Sequence, residues 1–275
     1  MRIDAHQHFW KFNPVRDSWI GDDMQVLKQN FLPEHLQPLL QQWGIDGCVA
    51  VQADQSEVET HFLLNLAASN DFIKGVVGWI DLQAENLEER LQYFAQFGKL
   101  KGFRHIVQAE KDELFMLRPS FMRGIALLQQ FHFTYDILIY PHQLQAATTL
   151  AAQFPEQKFV LDHMAKPPIK MGAIEDWKRD LKHLAQHPNV YCKVSGLVTE
   201  GDWQRWKEND FTPYLQVATE AFGTNRLMYG SDWPVCLVAA TYEQQLGIVQ
   251  KHFETFSETE QAQVFGGNAQ QFYRL

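Results

Sequence analysis

Two histidines one residue apart, His6 and His8, stand near the N-terminus in the run Ile3-Asp4-Ala5-His6-Gln7-His8-Phe9-Trp10. In an extended strand alternate side chains share a face, so both imidazoles point the same way. They can share a metal ion or one substrate oxygen; a polar strand end is the plain alternative. Asp4 is expected on the same face, orienting an imidazole or closing the floor beneath it. The run Phe159-Val160-Leu161-Asp162-His163-Met164-Ala165-Lys166-Pro167-Pro168 is an apolar strand ending in Asp-His before a proline-stiffened loop. His163 is placed to join the first pair, with a satisfied core histidine as the alternative. In Leu227-Met228-Tyr229-Gly230-Ser231-Asp232-Trp233-Pro234 a carboxylate follows another apolar run. Asp232 can take the proton of an attacking water, bind a metal, or do both in turn. The alternative is a helix cap.

The segment Lys101-Gly102-Phe103-Arg104-His105 ends a further strand. Arg104 and His105 face opposite ways, so at most one reaches the mouth directly. Arg104 suits forked hydrogen bonding to a carboxylate, a carbonyl or vicinal hydroxyls. Gln52, Trp79 and Lys166 join Arg104 and His105 as candidate substrate contacts. Asp81, Asp136 with Tyr140, and Lys193 with Ser195 are weaker strand-end candidates. Trp10, Trp79 and Trp233 could cover the apolar side of a sugar ring or fill the core. His35, His61, His132, His183, His187 and His252 fall in or beside expected helices and read as structural or exposed.

Such residues must be brought together by the ends of several strands. Hydrophobic periodicity predicts strands at Arg2–Phe9, Asp46–Ala53, Ile73–Leu82, Leu100–Val107, Phe133–Tyr140, Lys158–His163, Val190–Val194 and Arg226–Ser231. Most are short apolar runs, as parallel strands covered on both faces require. The repeat of about 32 residues is close to one βα unit. Helix signals lie between them: Ser56 with Glu59, Asn86 with Glu89 and a stop at Gly98, Pro141 before Leu144–Phe154, and Pro188 closing Ile174–His187. Ser257 with Glu260 opens a last helix expected to end near Tyr273. The pattern predicts an α/β fold, a (β/α)8 TIM-type barrel, with chemistry at the C-terminal strand ends. An open doubly wound sheet is the alternative. No linker composition interrupts it, so one domain over residues 1–275 is expected.

The 275 residues are 45% hydrophobic and 21% charged, ordinary for a globular enzyme. The net charge of −9, with scattered Lys and Arg, argues against a nucleic-acid partner. Three cysteines without a CxxC pair argue against a disulfide framework and for a reducing, cytoplasmic setting. No apolar run reaches membrane-spanning length, so no membrane partner is expected.

Taken in order, Asp4-Ala5-His6-Gln7-His8-Phe9-Trp10, Gly102-Phe103-Arg104-His105, Leu161 to Pro168, Tyr229-Gly230-Ser231-Asp232-Trp233-Pro234-Val235 and Phe265-Gly266-Gly267-Asn268-Ala269 resemble one family. It is the amidohydrolase superfamily, in the branch of L-fuconolactonase and L-rhamnonolactonase. The resemblance implies the same barrel and hydrolysis of a sugar-acid lactone. It assigns catalytic roles to His6, His8, His163 and Asp232. Relatives with two metals carry a carboxylated lysine or a glutamate at the fourth strand, where this chain has Arg104 and His105. At most one divalent ion, zinc by preference, would be held by some of His6, His8, His163 and Asp232. Metal-free catalysis is equally open, since the branch includes metal-independent lactonases.

In the expected mechanism the three imidazoles, bare or around zinc, stabilise the oxyanion. Asp232 moves the water proton to the ring oxygen, a role that burial would favour near neutral pH by raising its pKa. The alternatives are a metal-dependent nonoxidative decarboxylase, a lactonase for an aromatic-catabolic dicarboxylate, and a non-catalytic sugar-acid binder.

Overall fold

A computed structural model describes residues 1–275. All eight expected strands are present: β1 Ile3–Gln7, β2 Gly47–Val51, β3 Ile73–Gly78, β4 Leu100–His105, β5 Thr134–Ile137, β6 Phe159–Leu161, β7 Val190–Val194 and β8 Leu227–Tyr229. Every neighbouring pair is parallel and the strands follow sequence order. The barrel closes beyond the end of β8. There Asp232 N–H donates to the His6 carbonyl at 2.8 Å and His8 N–H to that of Trp233 at 2.7 Å. The fold is a (β/α)8 TIM-type barrel.

Around it lie α1 Pro33–Gln42, α2 Glu57–Ser69, α3 Leu87–Phe94, α4 Pro119–Gln130, α5 Leu144–Gln153, α6 Glu175–Leu184, α7 Glu208–Phe222, α8 Tyr242–Phe253, α9 Glu258–Ala262 and α10 Asn268–Tyr273. Ser56 caps α2 by accepting the Glu59 N–H at 3.1 Å. The Glu59 carboxylate does not return the bond to Ser56. It reaches back to the Ala53 N–H at 3.2 Å and ties the helix to the end of β2. Asn86 makes no side-chain cap, and α3 stops at Phe94, short of Gly98. The helix opened by Ser257 is interrupted over Gln263–Gly267, where a side chain on Gly266 would collide with the Met1 carbonyl.

The barrel interior has two levels. Below, Ile3, Ala5, Val49, Val51, Val77, Val160 and Met228 pack together, plugged by Phe272 and Tyr273 of α10. Above them the interior turns polar. Several strands end earlier than periodicity predicts: β3 at Gly78, β6 at Leu161 and β8 at Tyr229. The apolar pattern runs on, but at the rim the chain leaves the ladder. His163, Met164, Ala165 and Lys166 all take left-handed backbone conformations, with φ between 51° and 58°.

Pairing also corrects the position of Asp4. The β1–β2 register shifts between Asp4 and Gln7. Such an irregularity breaks strict alternation. Asp4 and His6 therefore face opposite sides. Asp4 accepts from the Ser231 N–H at 2.9 Å and from the Tyr242 hydroxyl of α8 at 3.2 Å, sewing the β1–β8 seam from outside. It orients no imidazole ring.

No helix is long and apolar enough to cross a membrane. Cys48, Cys192 and Cys236 are unpaired and buried.

Candidate active site

His6 and His8 project inward from the end of β1, with their Nε2 atoms 3.2 Å apart. Asp232 lies just past β8 in a left-handed conformation, φ 57°, which turns its carboxylate back over the barrel. Its Oδ1 is 3.3 Å from His8 Nε2, 3.8 Å from His6 Nε2 and 3.9 Å from His163 Nε2. The four side chains singled out by type and spacing thus meet at one point, each at most 5% exposed.

Neighbours fix the rings. His8 Nδ1 donates to the Val51 carbonyl at 2.8 Å, which turns its Nε2 toward Asp232. His163 Nδ1 meets Ser195 Oγ at 2.8 Å. The ring fits only because residue 196 is glycine: a Cβ there would sit 2.7 Å from His163 Nδ1, and φ is +64°. Gly230 likewise lets His6 approach, since a Cβ would lie 2.6 Å from that of His6.

Burial sets the protonation states. It pushes the His163 imidazole down to about 4, against the pull of Asp232, and lowers His6 further. Burial also opposes ionisation of Asp232, but His163, His8 and His6 outweigh it and hold the carboxyl well below the usual range. The expectation that burial would raise this pKa is therefore corrected: near neutral pH Asp232 is ionised and His163 and His6 are neutral. Val51 takes the Nδ1 proton of His8, so only its Nε2 faces the other imidazoles.

Beneath this group lies a closed layer of charge. Arg104 Nη1 donates to Asp162 Oδ2 at 3.0 Å and lies 3.4 Å from His6 Nε2. Its Nη2 donates to the Gln52 carbonyl. Lys193 Nζ reaches Asp136 Oδ2 at 2.5 Å, Asp162 Oδ1 at 3.0 Å and His6 Nδ1 at 3.2 Å. Tyr273 donates to Asp136 at 2.7 Å. Burial opposes ionisation of Asp162, yet Lys193, His6 and Arg104 hold its carboxyl well down. In Asp136 burial prevails and the carboxyl is raised, with Lys193 pulling back.

Over the imidazoles opens a cavity of about 280 Å³, walled by His8, Arg104, His163, Lys166, Asp232, Trp10, Trp19, Ile106, Leu138 and Val235, among others. A larger open groove of about 790 Å³ runs beside it past Lys166 but reaches none of the histidines or Asp232. Not all candidate substrate contacts reach the cavity. Arg104 and Lys166 line it; His105, Gln52 and Trp79 do not. His105 faces outward as alternation requires, stacked on Phe115 at 4.8 Å and bonded to Glu110 at 2.8 Å. Trp79 turns its indole N–H toward His105 at 3.4 Å. Gln52 lies under the wall, donating to the Arg104 carbonyl at 3.1 Å. Trp233 packs on Phe9 and Phe31 in the core.

Ligands about 2.0–2.2 Å from a tetrahedral zinc ion lie roughly 3.3–3.6 Å from one another. The convergence of His6 Nε2, His8 Nε2 and Asp232 Oδ1 fits one such ion. His8 Nε2 and Asp232 Oδ1 face each other at 3.3 Å, a spacing that an ion or a proton between them would bridge. A second group, His6, Asp162 and His163, is also compact. There Arg104 and Lys193 already neutralise the carboxylate, so it has no need of an ion.

The chain belongs to the amidohydrolase family, whose model matches residues 3–275. Among its relatives is the L-fucono-1,5-lactonase of Burkholderia multivorans, 41% identical over 286 residues that span 100% of this chain and 96% of that one. The L-fucono-1,5-lactonase of Burkholderia ambifaria is 35% identical over 282 residues, with 100% and 96% covered. A crystal structure of an amidohydrolase from Burkholderia multivorans with bound zinc superposes with a TM-score of 0.97. It is 40% identical and covers 100% of this chain and 99% of that one.

Proposed function

We propose that this chain is a lactonase that opens a sugar-acid lactone, an aldonolactone of the L-fuconolactone or L-rhamnonolactone kind. The observation that carries this reading is the meeting of Asp232 with three imidazoles, two of them lining one small cavity, in a chain 41% identical to an L-fucono-1,5-lactonase.

The lactone carbonyl lies over the imidazoles, and Asp232 Oδ1 accepts a proton from the attacking water. Arg104 Nη1 and the N–H of His163 face the carbonyl oxygen as it gains charge; one such donor is worth about 3–4 kcal/mol. Asp232 is a weak base, but once protonated it is a strong acid. It therefore returns its proton readily to the ring oxygen when the tetrahedral intermediate collapses. The bond to the ring oxygen breaks, and the products are one carboxylic acid and one hydroxyl. Trp10 and Trp19 offer aromatic faces to the sugar, and Lys166 stands at the mouth. A zinc ion held by His6, His8 and Asp232 would supply Lewis-acid polarisation of the same carbonyl. The cytoplasm suits the three unpaired cysteines.

Both cations of the cavity are already matched, Arg104 with Asp162 at 3.0 Å and Lys166 with Glu200 at 3.6 Å. That disfavours a dicarboxylate substrate. The test is a pH-indicator screen of aldonolactones, run on metal-stripped and on zinc-loaded protein. Acid release from deoxyhexono- and hexonolactones is expected. Silence of both forms toward every aldonolactone, with carbon dioxide released from an aromatic acid, would replace this reading with a decarboxylase.

A further inference from the structure

The buried ammonium of Lys193 has no part in the chemistry just described, and nothing about a hydrolase requires a lysine inside the barrel. An ammonium has three N–H donors and no acceptor. Lys193 Nζ is surrounded by three acceptors: Asp136 Oδ2 at 2.5 Å, Asp162 Oδ1 at 3.0 Å and His6 Nδ1 at 3.2 Å. A donor aimed at Nδ1 excludes a proton there. The ring proton of neutral His6 must then sit on Nε2, the atom facing His8 and Asp232.

Two alternatives can be weighed. Asp162 Oδ1 lies 3.3 Å from His6 Nδ1 and could accept a proton from it, but it has the Lys193 ammonium closer, at 3.0 Å. Arg104 Nη1 lies 3.4 Å from His6 Nε2 and could donate to it, yet it has a closer acceptor in Asp162 Oδ2 at 3.0 Å. From there the proton points at His8 Nε2, 3.2 Å away, and at Asp232 Oδ1, 3.8 Å away.

We propose that Lys193 is a positioning residue that fixes the His6 proton on Nε2, so that the metal-free site presents an N–H donor where His6, His8 and Asp232 meet. Building on the lactonase reading, this makes the His6 N–H a donor toward His8 and Asp232 at the base of the cavity. It also makes zinc a competitor, because an ion can take His6 Nε2 only after the proton has moved to Nδ1, against the Lys193 donor.

The first readout uses no lactone. Long-range ¹H–¹⁵N correlation spectra of histidine-labelled, metal-stripped protein, with His6 assigned by its loss in His6→Asn, should show protonated Nε2 and bare Nδ1. A His6 proton on Nδ1 overturns the proposal. The second readout is zinc affinity, by competition with a chromogenic chelator. Lys193→Met leaves a buried carboxylate unmatched and can misfold, so Lys193→Met/Asp136→Asn, which removes one charge of each sign, is measured beside it. The balanced variant should bind zinc at least tenfold more tightly than wild type and show His6 protonated on Nδ1. Unchanged affinity with an unchanged tautomer overturns the proposal. Metal-free kcat on any accepted lactone should fall at least tenfold with KM within twofold. Should no lactone be turned over, the lactonase reading fails while the spectrum still decides the role of Lys193.

Discussion

Asp162 and Asp232 are both buried, both follow an apolar strand, and both lie among charged and imidazole groups, yet they stand in opposite situations. Asp162 belongs to the lower layer, where Arg104, Lys193, Asp136 and Tyr273 meet one another and, of these, only Arg104 reaches the cavity wall. Asp232 belongs to the upper one, where its neighbours are three imidazoles and the cavity itself. A charge whose partners are permanent is structure. A charge left facing neutral rings and open space keeps capacity for a proton, an ion or a substrate. The two layers share His6, whose Nδ1 looks down and whose Nε2 looks up.

The widest separation between the layers should come from the same substitution made in each. Asp232→Asn keeps the shape and removes the proton acceptor. Lactone turnover is expected to fall by about 10³-fold or more, with the melting temperature within a few degrees of wild type. Near wild-type kcat would remove Asp232 from the mechanism. Asp162→Asn instead leaves Arg104 and Lys193 facing one carboxylate rather than two. Breaking a buried pair this way costs about 3–5 kcal/mol, to be read by urea denaturation. A stability loss under 1 kcal/mol would show that the lower layer does not depend on its charge balance.

Much of the upper layer is legible in the sequence, because its residues stand at the boundary between an apolar run and a turn. His6, His8, His163 and Asp232 are all found this way, and they converge. The strand order and the barrel are legible too, since eight short apolar runs at a steady interval leave little other topology. The lower layer is harder to read. Asp136 and Lys193 are charges inside the apolar runs Thr134-Tyr135-Asp136-Ile137 and Tyr191-Cys192-Lys193-Val194. Opposite signs inside two buried strands must find each other, and that is the signal which would have ranked them higher. The face of Asp4 was not legible, because strict alternation fails where the β1–β2 register shifts. Nor was the chain's departure from the ladder at His163, since a left-handed run of non-glycine residues has no local signature.

Another buried carboxylate belongs to neither layer. Glu59 is 4% exposed, and burial, opposed chiefly by the Ala53 N–H and Arg16, raises its pKa from 4.5 to about 7. The folded state therefore holds this proton more tightly than the unfolded chain. Stability from this residue is fully present below about pH 4.5 and is lost as pH rises through about 7. Glu59→Gln keeps an acceptor for Ala53 and removes the charge. It should match wild type at pH 4.5 and exceed it by about 1–3 kcal/mol at pH 8. Equal urea midpoints at pH 8 would mean that Glu59 is matched as well as Asp162 is.

The smallest effect tests the edge of the upper layer. Arg104 and His105 are adjacent on β4, and alternation sends one to the cavity and the other to the helices. His105 stacks on Phe115 at 4.8 Å and bonds Glu110 at 2.8 Å, away from the cavity wall. His105→Gln retains a donor for Glu110 and loses the stacked ring. Lactone kcat/KM should stay within about twofold of wild type, while stability drops by about 0.5–1.5 kcal/mol for the lost aromatic pair. The same substitution pattern at Arg104, Arg104→Gln, should lower kcat/KM and stability together, because that side chain belongs to both layers. If His105→Gln lowered kcat/KM tenfold at unchanged stability, the division drawn by strand parity would be wrong, and the outer face of β4 would have to be counted as part of the site.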